Sequence, residues 1–229
     1  MTTVFVAGAT GAVGSALVPL LRKHAFQVIP HVRPKTAAKH SLGKDPEALV
    51  ADLSDPAKLD KALERVQAIV CSVGTMRRRF AAGDTYDSSD YQPVVQLVES
   101  ALRMQQRPYF VLVSALGARA GSGYLGWKFK AEEVVRKSGL AQAILRPSVL
   151  DSTGSKQEAS DGKPRVPPPL MGALVKAFGH LPVLKGMSED LRPIPVEVVG
   201  EAIARLIQEN KNHAEVLTGR QLWTLAKAH

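Results

Sequence analysis

The 229-residue chain is poor in several features, and each scarcity argues against a class of protein. Its single cysteine, Cys71, cannot form an internal disulfide framework, which favours a reducing compartment such as the cytoplasm. No apolar run approaches the roughly 20 residues that a membrane-spanning helix needs. The opening residues, MTTVFVAGATG, lack the basic and apolar regions of a signal peptide. The six histidines show no metal-ligand spacing. We therefore expect a cytoplasmic protein without a metal or a membrane partner.

Acidic residues are also scarce, with 21 Asp and Glu against 30 Lys and Arg and a formal net charge of +9. The basic residues are spread along the chain, and the dense cluster at 77–79 has no zinc-finger or RNA-recognition motif beside it. The charge therefore predicts a solvated basic surface that attracts phosphates, and no nucleic-acid partner. Direct nucleic-acid binding is the weakest of three functional hypotheses.

Short apolar segments that are rich in β-branched residues alternate with helical segments over the first 150 residues. The predicted strands are 3–8, 26–32, 48–53, 68–74, 109–117 and 141–149, and the predicted helices are 12–24, 54–66, 90–105 and 124–139. Pro19 predicts a kink in the first helix, and Pro30 predicts an irregular or exposed end of the second strand. The alternation predicts an α/β fold, a Rossmann-like doubly wound parallel sheet.

The composition changes after residue 150. A polar segment rich in Gly, Ser and Pro (151–169) is followed by a helix near 170–178, a strand-like LRPIPV, a helix at 197–208 and a short strand-and-helix tail. Polar loops of this length are commonly functional lids or disordered. We predict a nucleotide-binding core at 1–150 and a small C-terminal substrate lobe at 151–229, packed on the same domain. The composition of this lobe does not indicate which substrate it binds. The sequence also leaves the oligomeric state open between a monomer and a homodimer.

Three glycines lie where the first predicted strand meets the first helix. In GATGAVG, Gly8 suits a tight turn, Gly11 lets the backbone approach a pyrophosphate, and Gly14 allows close helix–strand packing. The start of the helix then offers free N–H groups to the anion. The pattern predicts dinucleotide binding by six residues of this turn: Gly8, Thr10, Gly11, Ala12, Val13 and Gly14.

The region after the second predicted strand favours NADP(H) over NAD(H). An NAD site usually places an acidic residue here for the ribose 2′-hydroxyl. The chain instead has Arg33, Lys35 and Lys39, and no carboxylate before Asp45, so a 2′-phosphate would find cations. Asp52 follows the third predicted strand and can accept a hydrogen bond from the adenine amino group. The predicted contacts in this region are Arg33, Lys35, Asp52 and Leu53.

Four motifs in this order resemble the atypical short-chain dehydrogenase/reductase superfamily: GATGAVG, VSALGA, Tyr124-x-x-x-Lys128 and ILRPSVL. Within it, residues 73–101 and the closing LRPIPVEVVGEAIARLI are similar to the Tat-interacting-protein-like oxidoreductases. The resemblance implies an NAD(P)-binding oxidoreductase with Ser114, Tyr124 and Lys128 as catalytic residues. It also implies that Lys128 contacts the cofactor. Further implied cofactor contacts are Ser72, Val73, Gly74, Pro147 and Ser148.

The roles of the trio agree with elementary chemistry. A tyrosine has an ordinary pKa of about 10, so a nearby ammonium is needed to favour its phenolate. Tyr124 and Lys128 are four residues apart and share a helix face. Ser114 would bind the substrate oxygen, and Tyr124 would shuttle the proton during hydride transfer. Because the Ser114–Tyr124 interval is about two residues shorter than in relatives, an alternative register would place Gly126 and Lys130 in the two catalytic positions.

The leading hypothesis is an NADP(H)-dependent oxidoreductase that acts on a small-molecule carbonyl or alcohol. The alternative is a redox sensor or scaffold that binds the dinucleotide without turning it over. The presence of Ser114, Tyr124 and Lys128 favours the enzyme, whereas the shortened spacing favours the sensor. Cys71 lies inside an apolar strand and is expected to be buried and inert. His31 is expected to have a surface or capping role.

Overall fold

The computed structural model describes residues 1–74, 80–81, 83–151, 190–213 and 215–227. The basic cluster at 77–79, nearly all of the polar segment 151–169 and the predicted helix at 170–178 lie outside these ranges. Within them, no helix combines the length and the apolar character that crossing a membrane requires.

The core is a seven-stranded sheet in which all neighbouring strands run parallel, in the order β3-β2-β1-β4-β5-β6-β9. A second, two-stranded pair joins β7 to β8. The strands are β1 (Thr3–Ala7), β2 (Gln27–Val32), β3 (Leu49–Val50), β4 (Ala68–Cys71), β5 (Tyr109–Val113), β6 (Gln142–Arg146), β7 (Leu150–Asp151), β8 (Ile194–Pro195) and β9 (Leu217–Thr218). The order confirms the predicted doubly wound sheet, because the chain reverses direction across the sheet after β3.

Helices cover both faces of this sheet. They are α1 (Ala12–Lys23), the short α2 (Pro34–Ala37), α3 (Pro56–Leu63), α4 (Gln92–Arg103), α5 (Gly123–Lys137), α6 (Val196–Glu209) and α7 (Gly219–Lys227). A π-helical turn at Asp87–Tyr91 leads directly into α4. Asp55 precedes α3, and its carboxylate accepts a hydrogen bond from the Lys58 N–H at 3.2 Å, so it caps this helix.

Each face of the sheet has its own apolar core. On one face α1, α6 and α7 pack against the sheet, and on the other α3, α4 and α5 do so. The central strands are therefore buried on both sides, which explains why β1, β4 and β5 consist of consecutive apolar residues with few polar interruptions.

The structure places Pro19 inside a helix and Pro30 inside a strand, and the predicted kink at Pro19 stays a prediction. α1 continues through Pro19, which lies on the exposed face of the helix. Pro30 is buried inside β2, opposite Val6 of β1, so the predicted irregular or exposed strand end was wrong. In the described part of the chain, β3 pairs with β2 at His31 and Val32 and not at Pro30, so there β2 has β1 as its one neighbour and no second strand requires the missing N–H.

The described C-terminal elements extend the same layers. β9 lies beside β6 at the edge of the large sheet, and α6 packs on α1. His24 Nε2 lies 2.9 Å from Glu201 Oε2 across this helix pair, and Gly200 faces the side chain of Leu20. The proposed boundary at residue 150 stays a prediction.

Candidate functional site

The predicted site residues follow different strands but gather at one edge of the sheet. Because the strands are parallel, their carboxyl ends all point to this edge, where doubly wound proteins bind ligands. The contributing segments, each after its strand, are Gly8–Gly14 (β1), Arg33–Lys35 (β2), Asp52–Leu53 (β3), Ser72–Gly74 (β4), Ser114 (β5) and Pro147–Ser148 (β6).

The glycine turn links β1 to the start of α1. Gly8 has a φ of +81°, in the left-handed region that favours glycine, and its carbonyl accepts a hydrogen bond from the Gly11 N–H at 2.9 Å. Gly11 is the N-cap of α1, so it offers no side-chain cap, and the first turn of the helix carries no acidic residue. The positive end of the helix dipole is thus left without an anionic side chain of its own, which suits an anionic ligand.

Close backbone packing fixes this turn. A Cβ on Gly14 would lie 2.2 Å from the Gly8 carbonyl oxygen, and a Cβ on Gly8 would lie 2.9 Å from backbone atoms of Ser72 and Val73. The Ser72 hydroxyl donates to the Ala7 carbonyl at 2.9 Å. The end of β4 is therefore held directly against the glycine turn. The glycines carry no side chain at the start of α1, which suits the close approach of a pyrophosphate.

Tyr124 and Lys128 both lie on the side of α5 that faces this edge. The Lys128 side chain is buried, its Nζ donates to the Val73 carbonyl at 3.2 Å, and it lies 5.8 Å from the centroid of the Tyr124 ring. Tyr124 is half-buried. Val73 thus connects the Tyr–Lys pair to the strand end that packs on the glycine turn.

The alternative register has a different geometry. Lys130 is exposed, and its Nζ lies 3.9 Å from the centroid of the Trp127 ring. Gly126 is buried, and a Cβ there would lie 2.2 Å from the Gly121 carbonyl oxygen. Gly126 serves helix packing and Lys130 lies at the surface, whereas Lys128 contacts Val73 at the end of β4.

The electrostatics of the pair are set by burial, by the effect of each residue on the other, and by the neighbours Asp90 and Tyr86. Burial raises the pKa of Tyr124; the Lys128 ammonium lowers it, while Asp90 and Tyr86 add to the increase, and the net pKa lies above the ordinary value. For Lys128, burial lowers the pKa, but Tyr124 and Asp90 outweigh this effect and raise it overall. At neutral pH the site therefore holds a protonated phenol beside an ammonium.

The Ser114 side chain points toward Glu132 of α5. It is buried, and its hydroxyl donates to Glu132 Oε1 at 2.5 Å. Glu132 is fully buried and also accepts hydrogen bonds from Arg146 (2.8 and 2.6 Å) and Arg136 (2.8 Å). The catalytic role of Ser114 stays a prediction, and in this structure its proton is directed to a carboxylate.

The remaining predicted cofactor residues surround the same edge. Arg33 and Lys35 are exposed after β2, Asp52 is exposed after β3, and Leu53 is buried beside it. At β6 the Pro147 carbonyl accepts from the Leu116 N–H at 3.0 Å, and the Ser148 hydroxyl donates to the Arg192 carbonyl.

Sequence reasoning missed two buried acids. Asp90 Oδ1 lies 3.0 Å from Lys128 Nζ, and Glu132 joins the end of β5 to Arg146 of β6. Glu132 had a local indication, since it stands one turn after Lys128 on the same helix face. Asp90 had none, because it approaches Lys128 only after the chain has folded.

Two other expectations have clear outcomes. Cys71 is fully buried, as expected, and burial raises the pKa of its thiol to about 11. The surface or capping role expected for His31 was wrong. The residue is 4% exposed, and its Nε2 lies 2.9 Å from the Ala51 carbonyl oxygen. Burial lowers the pKa of His31, so the neutral imidazole serves the packing between β2 and β3.

Together, the parallel sheet, the glycine turn and the adjoining helix start define the dinucleotide-binding class of α/β proteins. A family model described as NAD(P)H-binding matches residues 8–166, most of the chain, and the protein belongs to this family. The resemblance to atypical short-chain dehydrogenases/reductases is thereby confirmed.

Two curated relatives and one solved structure illustrate the similarity. The chloroplastic protein TIC 62 of Oryza sativa subsp. japonica is 28% identical over 95% of this chain and 50% of its own length. Sanguinarine reductase of Eschscholzia californica is 27% identical over 66% of this chain and 70% of its own length. A putative NAD-dependent epimerase/dehydratase from Bacillus halodurans superposes with a TM-score of 0.65 at 20% identity over the full length of both chains, which shows the fold.

The chain spans half or less of the length of the TIC 62 proteins that it matches. These relatives carry a chloroplastic designation, so the cytoplasmic location stays a prediction.

Proposed function

We propose that the protein is an NADPH-dependent reductase, in which hydride adds to the carbonyl carbon of a small molecule and Tyr124 gives a proton to the carbonyl oxygen. One observation carries this proposal. The Tyr124–Lys128 pair is joined through the Val73 carbonyl to the strand end on which the glycine turn packs. Proton chemistry and dinucleotide binding would thus occur at adjacent points of one cleft. The sanguinarine reductase relative supports an oxidoreductase role.

Each part of the site has a task in this reaction. A bound reduced nicotinamide cofactor would supply the hydride. The glycine turn and the first turn of α1 would bind the pyrophosphate, and the segments after β4 and β6 would flank the nicotinamide end. Tyr124 would donate its proton, Lys128 would stabilise the resulting phenolate, and solvent would restore the proton.

The electrostatics support the reductive direction. Because burial, Asp90 and Tyr86 keep the pKa of Tyr124 above its ordinary value, its phenol is protonated at neutral pH. A protonated phenol can donate to a carbonyl oxygen but cannot remove a proton from an alcohol. Reduction therefore requires no change in the resting state of the site, whereas oxidation would require the phenolate.

A dinucleotide-binding sensor or scaffold is the second candidate, and the geometry of Ser114 favours it. The Ser114 proton is committed to Glu132, so Ser114 cannot donate to a substrate unless this hydrogen bond changes. A sensor needs the cofactor site but needs no proton donor for a substrate oxygen.

The preference for NADPH rests on charge at the end of β2. Arg33 and Lys35 are exposed there. The first carboxylate that follows, Asp45, lies 2.6 Å from Arg22 Nη2 and accepts from the Glu47 N–H at 3.0 Å, so it is already engaged away from Arg33. A 2′-phosphate would therefore meet cations, and the segment between β2 and Asp45 has no carboxylate for a 2′-hydroxyl.

Arg33→Ala is expected to weaken NADPH binding by about tenfold and to leave NADH binding nearly unchanged, because only the phosphate gains a charge-assisted contact. Fluorescence titration of both cofactors measures this. Arg107→Ala removes the same charge from an exposed position before β5, at the opposite edge of the sheet, and should change neither affinity. An equal loss for both cofactors would contradict the phosphate contact, and absence of binding by the wild type would contradict the proposed function.

Tyr124→Phe is expected to lower the rate of carbonyl reduction by about 100-fold or more, since a general acid contributes that much. NADPH affinity should persist, because the phenol ring remains. Absorbance of NADPH, followed with a panel of aldehydes and ketones, measures the rate. Tyr109→Phe is the matched control: its hydroxyl is buried in β5 and has no hydrogen-bond partner among the described residues. Binding of NADPH without turnover of any carbonyl would favour the sensor.

A further inference from the structure

We propose that Asp90 is a positioning residue that holds the Lys128 ammonium charged and fixed beside Val73, so that Lys128 can serve the cofactor and Tyr124. The proposal rests on the proposed function only for its consequence, since the ion pair itself is a property of the protein without ligands. Nothing in the sequence around Asp90, in DSSDYQP, indicates such a role.

The geometry gives Lys128 two fixed contacts. Its Nζ lies 3.0 Å from Asp90 Oδ1 and 3.2 Å from the Val73 carbonyl oxygen. The side chains of Lys128 and Asp90 are 5% and 0% exposed, so water does not screen the pair. A flexible four-carbon side chain is thereby held at one point, in contact with Val73 at the strand end that packs on the glycine turn.

Gly74 leaves the space that this pair occupies. A Cβ at Gly74 would lie 3.3 Å from Lys128 Nζ and 3.4 Å from Asp90 Oδ1. The backbone of Gly74 therefore covers both members of the ion pair, and the segment predicted to contact the cofactor forms the wall of the pocket that holds them.

The backbone around Asp90 is unusual. Asp90 lies in the π-helical turn Asp87–Tyr91, which adds a residue to the helical turn, and such turns are rare and frequent at functional sites. Aromatic residues on either side of this turn pack against α5. The ring centroids of Tyr86 and Tyr124 are 5.9 Å apart, and those of Tyr91 and Trp127 are 5.8 Å apart. The turn thus directs Asp90 into the site.

Asp90 decides whether Lys128 keeps its charge. The groups that act on Lys128 are Asp90 from the π-helical turn, Tyr124 from its own helix and the Cys71 thiol from β4. Burial favours the neutral amine. Among the described groups that act on Lys128, Tyr124 and Cys71 are neutral at physiological pH, so without the Asp90 carboxylate burial would lower the pKa of Lys128.

The test is Asp90→Asn, which keeps the shape and removes the charge. NMR of ¹³Cε-labelled lysine follows the titration of Lys128, whose resonance is identified by its loss in Lys128→Met. The midpoint is expected to move to lower pH, and NADPH affinity should begin to fall at a correspondingly lower pH. A purely structural role of Asp90 would lower stability without moving this midpoint.

Asp87→Asn is the matched control. It removes a carboxylate from the same π-helical turn, where Asp87 contacts Gln92 at 3.4 Å rather than Lys128. The Lys128 midpoint should stay at its wild-type value in this variant. An unchanged midpoint in folded Asp90→Asn, or equal shifts in both variants, would overturn the proposal.

If Asp90→Asn does not fold, Asp90→Glu provides the test. It keeps the negative charge, so Lys128 should titrate as in the wild type, but the longer side chain would displace the ammonium from Val73 and weaken NADPH binding. Unchanged affinity in Asp90→Glu would overturn the positioning role. Because the lysine titration needs no cofactor, it can succeed even where absence of NADPH binding refutes the proposed function.

Discussion

Glu132→Gln is expected to lower the free energy of unfolding by about 3 kcal/mol. Glu132 is fully buried, and its carboxylate accepts hydrogen bonds from Arg146, Arg136 and Ser114. Removing one partner of a buried ion pair costs about 3–5 kcal/mol, because the opposite charge is left without compensation. We expect a loss at the lower end of this range, because the side chains of Arg146 and Arg136 are 20% and 28% exposed and water can partly compensate their charges. Urea unfolding measures the loss.

The neighbouring residue gives the control for this variant. Glu133→Gln makes the same chemical change one position along α5, where Glu133 is 33% exposed and pairs with Arg136 at 2.9 Å. Surface pairs of this kind contribute about 0–1 kcal/mol, so we expect a loss of about 0.5 kcal/mol or less. Similar losses in the two variants would show that Glu132 does not hold β5, β6 and α5 together.

Gly14→Ala is expected to destabilise the fold by about 3 kcal/mol and to weaken NADPH binding by at least about tenfold. The added Cβ would lie 2.2 Å from the Gly8 carbonyl oxygen and 2.6 Å from Ala9 Cα. Both are backbone atoms, so α1 must move away from the glycine turn, and the anion site is built from this contact. Thermal unfolding and NADPH titration measure the two effects.

Gly200, a second buried glycine inside a helix, provides the control for Gly14→Ala. At Gly200 in α6 a Cβ would lie 3.5 Å from Leu20 Cδ1, which is ordinary contact. Gly200→Ala should therefore stabilise the protein by about 0.5–1 kcal/mol, the usual gain for alanine over glycine inside a helix. The same substitution thus has opposite expected signs at the two sites. A stabilising effect at Gly14 would contradict the close contact with Gly8.

Local patterns were sufficient for the fold class and for the glycine turn. Consecutive apolar β-branched residues indicate a strand buried on both faces, and the alternation with helices is repeated often enough that single errors did not matter. Strand ends were less predictable, because pairing decides them: β3 was expected over six residues and spans two, since its described partners in β2 are His31 and Val32. Pro30 was misjudged for the same reason.

The site was predictable only where its residues are close in sequence. Tyr124 and Lys128 share a helix face, so their spacing alone brought them together. Lys128 and Asp90 meet only because α5 packs against the π-helical turn, and no periodic pattern shows that contact in advance. The orientation of Ser114 likewise depends on where Glu132 lies after folding.

The position of β9 has a consequence for synthesis of the protein. β6 receives β9 as its second neighbour through the pairs Leu145–Leu217 and Arg146–Thr218, so this part of β6 can pair with β9 only after residue 218 has been made. An open strand edge invites pairing with other chains. Strands β1, β4, β5 and β6 can pair with one another earlier in synthesis, so until β9 arrives this part of β6 is open to pairing with other chains.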